Sequence, residues 1–108
     1  MTLLQERDAA RRQRRLQLYD DTRRRLRESL AELMPGQRVI VFGSLTRPGV
    51  FNDASDIDLA LESEPFGISS GRLMSELTER LGRPVDVVLL AGCRFRDRIR
   101  TVGETWTL

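Results

Sequence analysis

Ser55-Asp56-Ile57-Asp58-Leu59-Ala60-Leu61, read together with the upstream Arg38-Val39-Ile40-Val41-Phe42-Gly43-Ser44, is the stretch that decides the fold. From Asp56 onward, acidic or small residues alternate with branched apolar ones, which predicts a strand. Side chains at i and i+2 of a strand share a face, so Asp56 and Asp58 are expected to point the same way, roughly 6.6 Å apart along the backbone. Ile57 takes the opposite face and anchors the strand in the core. Upstream, the apolar run Arg38–Phe42 ends in Gly43-Ser44, with Pro48 and Gly49 soon after, which predicts a buried strand delivering a tight turn.

Downstream, Pro84-Val85-Asp86-Val87-Val88-Leu89-Leu90 reads as a further buried strand interrupted by one acid. A carboxylate is costly to bury unless it is paired or bound to metal, so Asp86 asks for a partner. Taken singly, Gly43-Ser44 is an ordinary turn, Asp-x-Asp the polar edge of a strand, and Asp86 a strand-end acid reaching solvent. The conjunction carries more. A glycine turn brings the backbone close to a phosphate and aims N–H groups at its oxygens, and the Ser44 hydroxyl adds a donor. Two metal ions of a paired site stand about 3.5–4 Å apart, a spacing that carboxylates on one strand face can serve. Magnesium takes six oxygens and keeps several waters, so two or three carboxylates plus substrate phosphates complete its shell. These are the parts for in-line displacement at phosphorus.

Val41-Phe42-Gly43-Ser44, Ser55-Asp56-Ile57-Asp58-Leu59 and Val85-Asp86-Val87-Val88 together resemble the minimal nucleotidyltransferases of the DNA polymerase beta superfamily. Arg98–Gly103 is similar to the tail of these proteins, and the resemblance covers residues 36–108. It implies an α/β fold of the polymerase beta-like type, with a small mixed sheet flanked by helices and preceded by a long N-terminal helix. It also implies that Gly43 and Ser44 bind the triphosphate of ATP, with Arg47 as a further phosphate contact. Asp56 and Asp58 would ligate Mg²⁺, two ions in all, and Asp86 would complete the triad as a ligand or as the base for the attacking hydroxyl. The chain departs from many relatives in the loop, where Leu45-Thr46-Arg47-Pro48-Gly49 replaces an Ala-Arg-Gly-like stretch. Minimal members are commonly paired with a HEPN-family ribonuclease toxin. The implied function is that of an antitoxin transferring AMP from ATP to a tyrosine of that toxin. The alternatives are an antitoxin that neutralises by binding alone, or a transferase acting on a small molecule or RNA.

A chain of 108 residues suits a single domain, 1–108, divided into an Arg-rich helical segment 1–35 and a catalytic core 36–108. A separate acceptor-binding domain is not expected at this length, which favours as acceptor a folded macromolecule that presents itself. Histidine is absent and all 18 basic residues are arginine. That removes His-based triads, His-ligated zinc, the Walker lysine and Schiff-base chemistry, leaving carboxylates, hydroxyls, backbone N–H groups and arginine. Cys93 is the only cysteine, and no apolar stretch or signal-peptide core points to a membrane, so a cytoplasmic protein is expected.

Residues 2–34 are expected to form one long helix or a helix pair, with a Thr2/Gln5 capping box and a stop at Pro35-Gly36. Leu16, Tyr19, Thr22, Leu26, Leu30 and Leu33 make its apolar stripe. Segment 1–35 holds nine Arg against six acids, read first as a solvated face with i,i+4 ion pairs and next as a contact surface for an acidic partner or a second copy. Only Tyr19 is aromatic there, so direct nucleic-acid binding is not expected. A helix capped by Ser69 or Ser70 runs to Leu81 with Leu73, Met74, Leu77 and Leu81 on its core side. A short helix near Phe95–Thr101 and a last strand carrying a packed Trp106 close the chain.

Overall fold

The computed structural model describes residues 2–108 and holds the elements in the expected order. They are α1 (Leu3–Leu33), β1 (Arg38–Phe42), a 3₁₀ turn (Gly43–Thr46), β2 (Ile57–Leu61), α2 (Ser70–Leu81), β3 (Val85–Leu89), α3 (Arg96–Val102) and β4 (Glu104–Thr107). The sheet runs β3-β2-β1-β4. β1 pairs antiparallel with β2 and β4, while β2 and β3 are parallel, joined by the α2 crossover. The result is the small mixed sheet expected.

Local chemistry places the helix ends. Thr2 and Gln5 form the reciprocal capping box of α1, which satisfies two otherwise orphaned donors. The Ser69 side chain accepts from the Arg72 N–H at the start of α2, and Gly82 ends that helix at φ 67°. α1 is a single helix, not a pair.

Strand alternation then sorts the core onto two faces. Val39, Val41, Ile57, Leu59, Leu61, Val85 and Trp106 point to one side and pack against Tyr19, Leu26 and Leu30 of α1 and Leu73 and Leu77 of α2. The opposite side is thinner. Ile40, Ala60 and Leu90 meet Ile99 of α3, with Phe42, Val88 and Cys93 half-buried around them. The face between α1, α2 and the sheet carries the larger apolar burial, at about 25 cal/mol per Å².

Several expectations need correction. α1 enters the core only from Leu18 onward. Residues 2–17 are exposed, Leu16 among them at 39 %. Met74 also faces outward, 38 % exposed, because α2 turns Leu73, Leu77 and Leu81 inward instead. β3 is an edge strand, so Asp86 is exposed and incurs no burial cost. The i,i+4 pairing expected along α1 reduces to Arg24–Glu28, joined by the i,i+3 pair Arg24–Asp21.

Candidate active site

Register alone aligns three positions. Phe42 on β1 stands opposite Asp58 on β2, and Asp58 stands opposite Asp86 on β3. Neighbouring strands lie about 4.8 Å apart. Asp58 falls between Ile57 and Leu59, and Asp86 between Val85 and Val87, all four of which face the α1/α2 core. Alternation therefore turns both carboxylates out of the other, thinner face.

Asp56 differs from its expected place. β2 begins at Ile57, so Asp56 lies just ahead of the strand and is exposed. Its charge still acts on its neighbour. Burial first, then the carboxylates of Asp86 and Asp56, push the Asp58 carboxyl above the usual carboxylate range. Three like charges thus share one corner of the sheet.

Gly43 closes this corner from the β1 side. Its φ is 74°, and a Cβ placed there would stand 2.5 Å from Oδ2 of Asp58. Glycine is required both for the left-handed backbone and for the space. The following turn is held on several sides. The Thr46 hydroxyl donates to the Gly43 carbonyl at 2.7 Å, the Arg47 N–H donates to the Ser44 carbonyl at 3.0 Å, and Leu45 is fully buried. Arg23 of α1 donates to the Leu45 carbonyl at 2.8 Å. That same guanidinium pairs with Glu104 and lies 5.1 Å from the Trp106 ring centre, tying α1, the turn and β4 together. The Glu104 carboxyl is held below the usual range by its hydrogen bond to Arg23, helped by the Trp106 N–H. The Ser44 hydroxyl reaches across to the Asp56 carbonyl at 3.5 Å.

Gly43, Ser44, Asp56, Asp58 and Asp86 are therefore gathered together. Arg47 is exposed at the end of the turn, and its side chain makes no hydrogen bond or ion pair among the described residues. A hollow of about 560 Å³ lies elsewhere, between Arg11, Arg14 and Arg15 of α1 and Asn52-Asp53. It is not over the acids.

The donor set suits a hard divalent cation. Among the described residues none of Asp56, Asp58 and Asp86 enters an ion pair, although the chain carries 18 arginines. Unpaired carboxylate oxygens are ligands of the type that magnesium prefers. Their spread is wider than a closed cage: among the described residues no three His, Cys, Asp or Glu side chains are gathered tightly enough to hold an ion as they stand.

Two contributors escaped the sequence reading. Arg83 stacks over Phe51 and hydrogen-bonds the loop that leads into Asp56. Phe51 is wholly buried beneath it. The only sequence signal was an arginine placed directly before the Pro84 strand.

The sequence model of the nucleotidyltransferase domain matches residues 23–105, which include every one of these positions. No curated protein matches the chain. A solved structure described as a toxin-antitoxin with AMP-PNP is similar at a TM-score of 0.59 and 25 % identity, covering 79 % of this chain and 73 % of that one. The matched span leaves out the first two-thirds of α1 and takes in β1, the glycine turn, β2, β3 with the row of acids, and the first half of β4, so the chain belongs to the nucleotidyltransferase domain family and is a nucleotidyltransferase.

Proposed function

We propose that this protein is a magnesium-dependent antitoxin that transfers AMP from ATP to a tyrosine of a HEPN-family ribonuclease toxin in the cytoplasm. The observation that carries the chemistry is the opposed pair Asp58 and Asp86, with Gly43 leaving room for the Asp58 carboxylate. The likeness to a toxin-antitoxin structure containing an ATP analogue supports the partner class and the nucleotide.

In the reaction the acceptor oxygen bonds to the α-phosphorus as the bond to the bridging β-phosphate oxygen breaks, and pyrophosphate leaves. Gly43 and Ser44 hold the triphosphate tail through the turn, with Arg47 as a further phosphate contact. Asp86, exposed at the sheet edge, takes the proton of the acceptor hydroxyl. Asp56 and Asp58, with Asp86, would hold the Mg²⁺ ions, which supply charge neutralisation at the phosphates. An open edge at Asp86 suits an acceptor borne on a folded protein.

The test is intact mass of both chains after incubation of this protein with its toxin partner, Mg²⁺ and ATP. A gain of AMP on the toxin, absent with Asp58→Asn, is expected. An unmodified toxin held in a tight complex would establish neutralisation by binding alone, and full transfer by Asp58→Asn would refute the mechanism.

A further inference from the structure

The loop between the glycine turn and β2 is ordered by its own polar groups. The Asn52 N–H donates to the Ser55 hydroxyl at 3.0 Å and the Ser55 N–H to the Asn52 carbonyl at 3.0 Å. The Ala54 N–H reaches the Asn52 side-chain oxygen at 2.9 Å, and the Asn52 amide donates to the Val50 carbonyl at 3.1 Å. Side-chain hydrogen bonds from Arg83 fasten this compact turn to the body. Arg83, between α2 and β3, donates to the Asn52 carbonyl at 3.0 Å and to the Ser55 carbonyl at 2.8 Å. Its guanidinium carbon lies 4.6 Å from the ring centre of the buried Phe51.

The Ser55 carbonyl belongs to the peptide plane that ends in the Asp56 N–H. Fixing that oxygen fixes the direction in which the chain enters Asp56. No sheet ladder does this job, because Asp56 precedes β2. Ladder-like support begins one residue later, where the Ile57 N–H meets the Pro84 carbonyl at 3.0 Å. Arg83 directs its charge at carbonyls and forms no ion pair with an acid among the described residues, so it orders the carboxylate corner without neutralising it. Donors carrying full charge bind carbonyls more strongly than neutral donors.

We propose that Arg83 is a positioning residue for nucleotidyl transfer, holding Asp56 in line with Asp58 and Asp86 through the Ser55 carbonyl. This rests on the reading of those acids as the cation–nucleotide site. A supporting residue one step behind a ligand changes cation affinity by about 10–100-fold when it is lost. Arg83→Met keeps an apolar stem over Phe51 and removes both donors. Arg83→Lys keeps the charge and part of the donor capacity.

Mn²⁺–ATP binding to the full chain, read from the Mn²⁺ electron paramagnetic resonance signal, tests it alongside melting temperatures. Arg83→Met should weaken binding about tenfold, and Arg83→Lys should recover part of the loss. In an Asp56→Asn background, Arg83→Met should add nothing, because its effect passes through Asp56. Equal losses in both backgrounds, or a lowered melting temperature with Mn²⁺–ATP affinity unchanged, would make Arg83 a purely structural residue and overturn the proposal. Wild-type protein that binds no Mn²⁺–ATP, or Asp58→Asn binding as well as wild type, would bring down the site reading and this role with it.

Discussion

Gly43→Ala separates two demands that one glycine meets. The left-handed backbone costs a non-glycine residue about 1 kcal/mol. Gly36 and Gly82 share that conformation, at φ 75° and 67°, with nothing within 4 Å of an added Cβ, so Gly36→Ala and Gly82→Ala measure this cost alone. For a domain of this size it corresponds to a loss of about 4 °C in melting temperature. Gly43→Ala adds a collision, since its Cβ would lie 2.5 Å from Oδ2 of Asp58 while Cγ and Cβ of that residue stand at 3.4 and 3.5 Å. Only the carboxylate end must move, and rotating it off its preferred angle costs a further 0.5–1.5 kcal/mol or so. The stability penalty is therefore modest, and the functional one is not, because the rotated carboxylate leaves the site. Mg²⁺–ATP at about a hundred times its Kd should stabilise wild type by roughly 2.7 kcal/mol, or on the order of 10 °C. Thermal melts with and without ligand should show that shift in wild type and both control variants and none in Gly43→Ala. A full ligand shift in Gly43→Ala would refute the claim that Gly43 makes room for Asp58.

In cation-free buffer at pH 7, Asp58→Asn should raise the melting temperature by a few degrees. Like charges 5–6 Å apart at near-water dielectric repel by about 0.7–0.8 kcal/mol per pair, and two pairs are relieved. The sign follows from the raised carboxyl: its stabilising protonation is complete below the unfolded value of 3.8 and is lost as pH rises through the folded one, so the advantage of the Asp58→Asn variant should vanish at pH 3. Glu104→Gln has the opposite profile. The Glu104 carboxyl is lowered by Arg23, so its contribution is present above the unfolded value of 4.5 and is lost as pH falls through the folded one. With the pair partly open to solvent and discounted for screening, urea melts should show a loss of about 1 kcal/mol at pH 7 that shrinks as pH falls below the unfolded value and closes once it has passed the folded one. Hydrogen exchange should divide α1: amides up to Leu16 should exchange far faster than those around Leu26 and Leu30, which are fully buried. Uniform protection along the helix would contradict a free N-terminal half.

Much of the molecule was legible in local pattern. Caps at Thr2 and Ser69 and the stop at Gly82 follow from short-range hydrogen bonding, which neighbouring residues settle among themselves. Gly43, Ser44, Asp56, Asp58 and Asp86, the residues proposed for the site, stood out as candidates in the sequence because a phosphate-binding turn and a set of carboxylates need particular residue types at particular spacings. Burial was less legible. The Asp86 run looks like an interior strand, yet only the order β3-β2-β1-β4 makes it an edge. Leu16 and Met74 fit their helical stripes and still face water, since periodicity assigns a side and not what covers it.

Periodicity, glycine placement and acid spacing along the chain pointed by themselves to an α/β domain carrying the parts for displacement at phosphorus, and the resemblance of those same motifs to a known family pointed to a nucleotidyltransferase and to the five residues proposed for its centre. What only the tertiary structure decided is how those residues meet: Asp58 opposite Asp86 by parallel register, Gly43 pressed against the Asp58 carboxylate, and the Ser55 carbonyl just ahead of Asp56 hydrogen-bonded by Arg83 from 28 residues further along the chain. Local pattern follows from interactions between near neighbours in sequence. Contacts across the sheet depend on strand pairing and loop packing, which no short window of sequence contains.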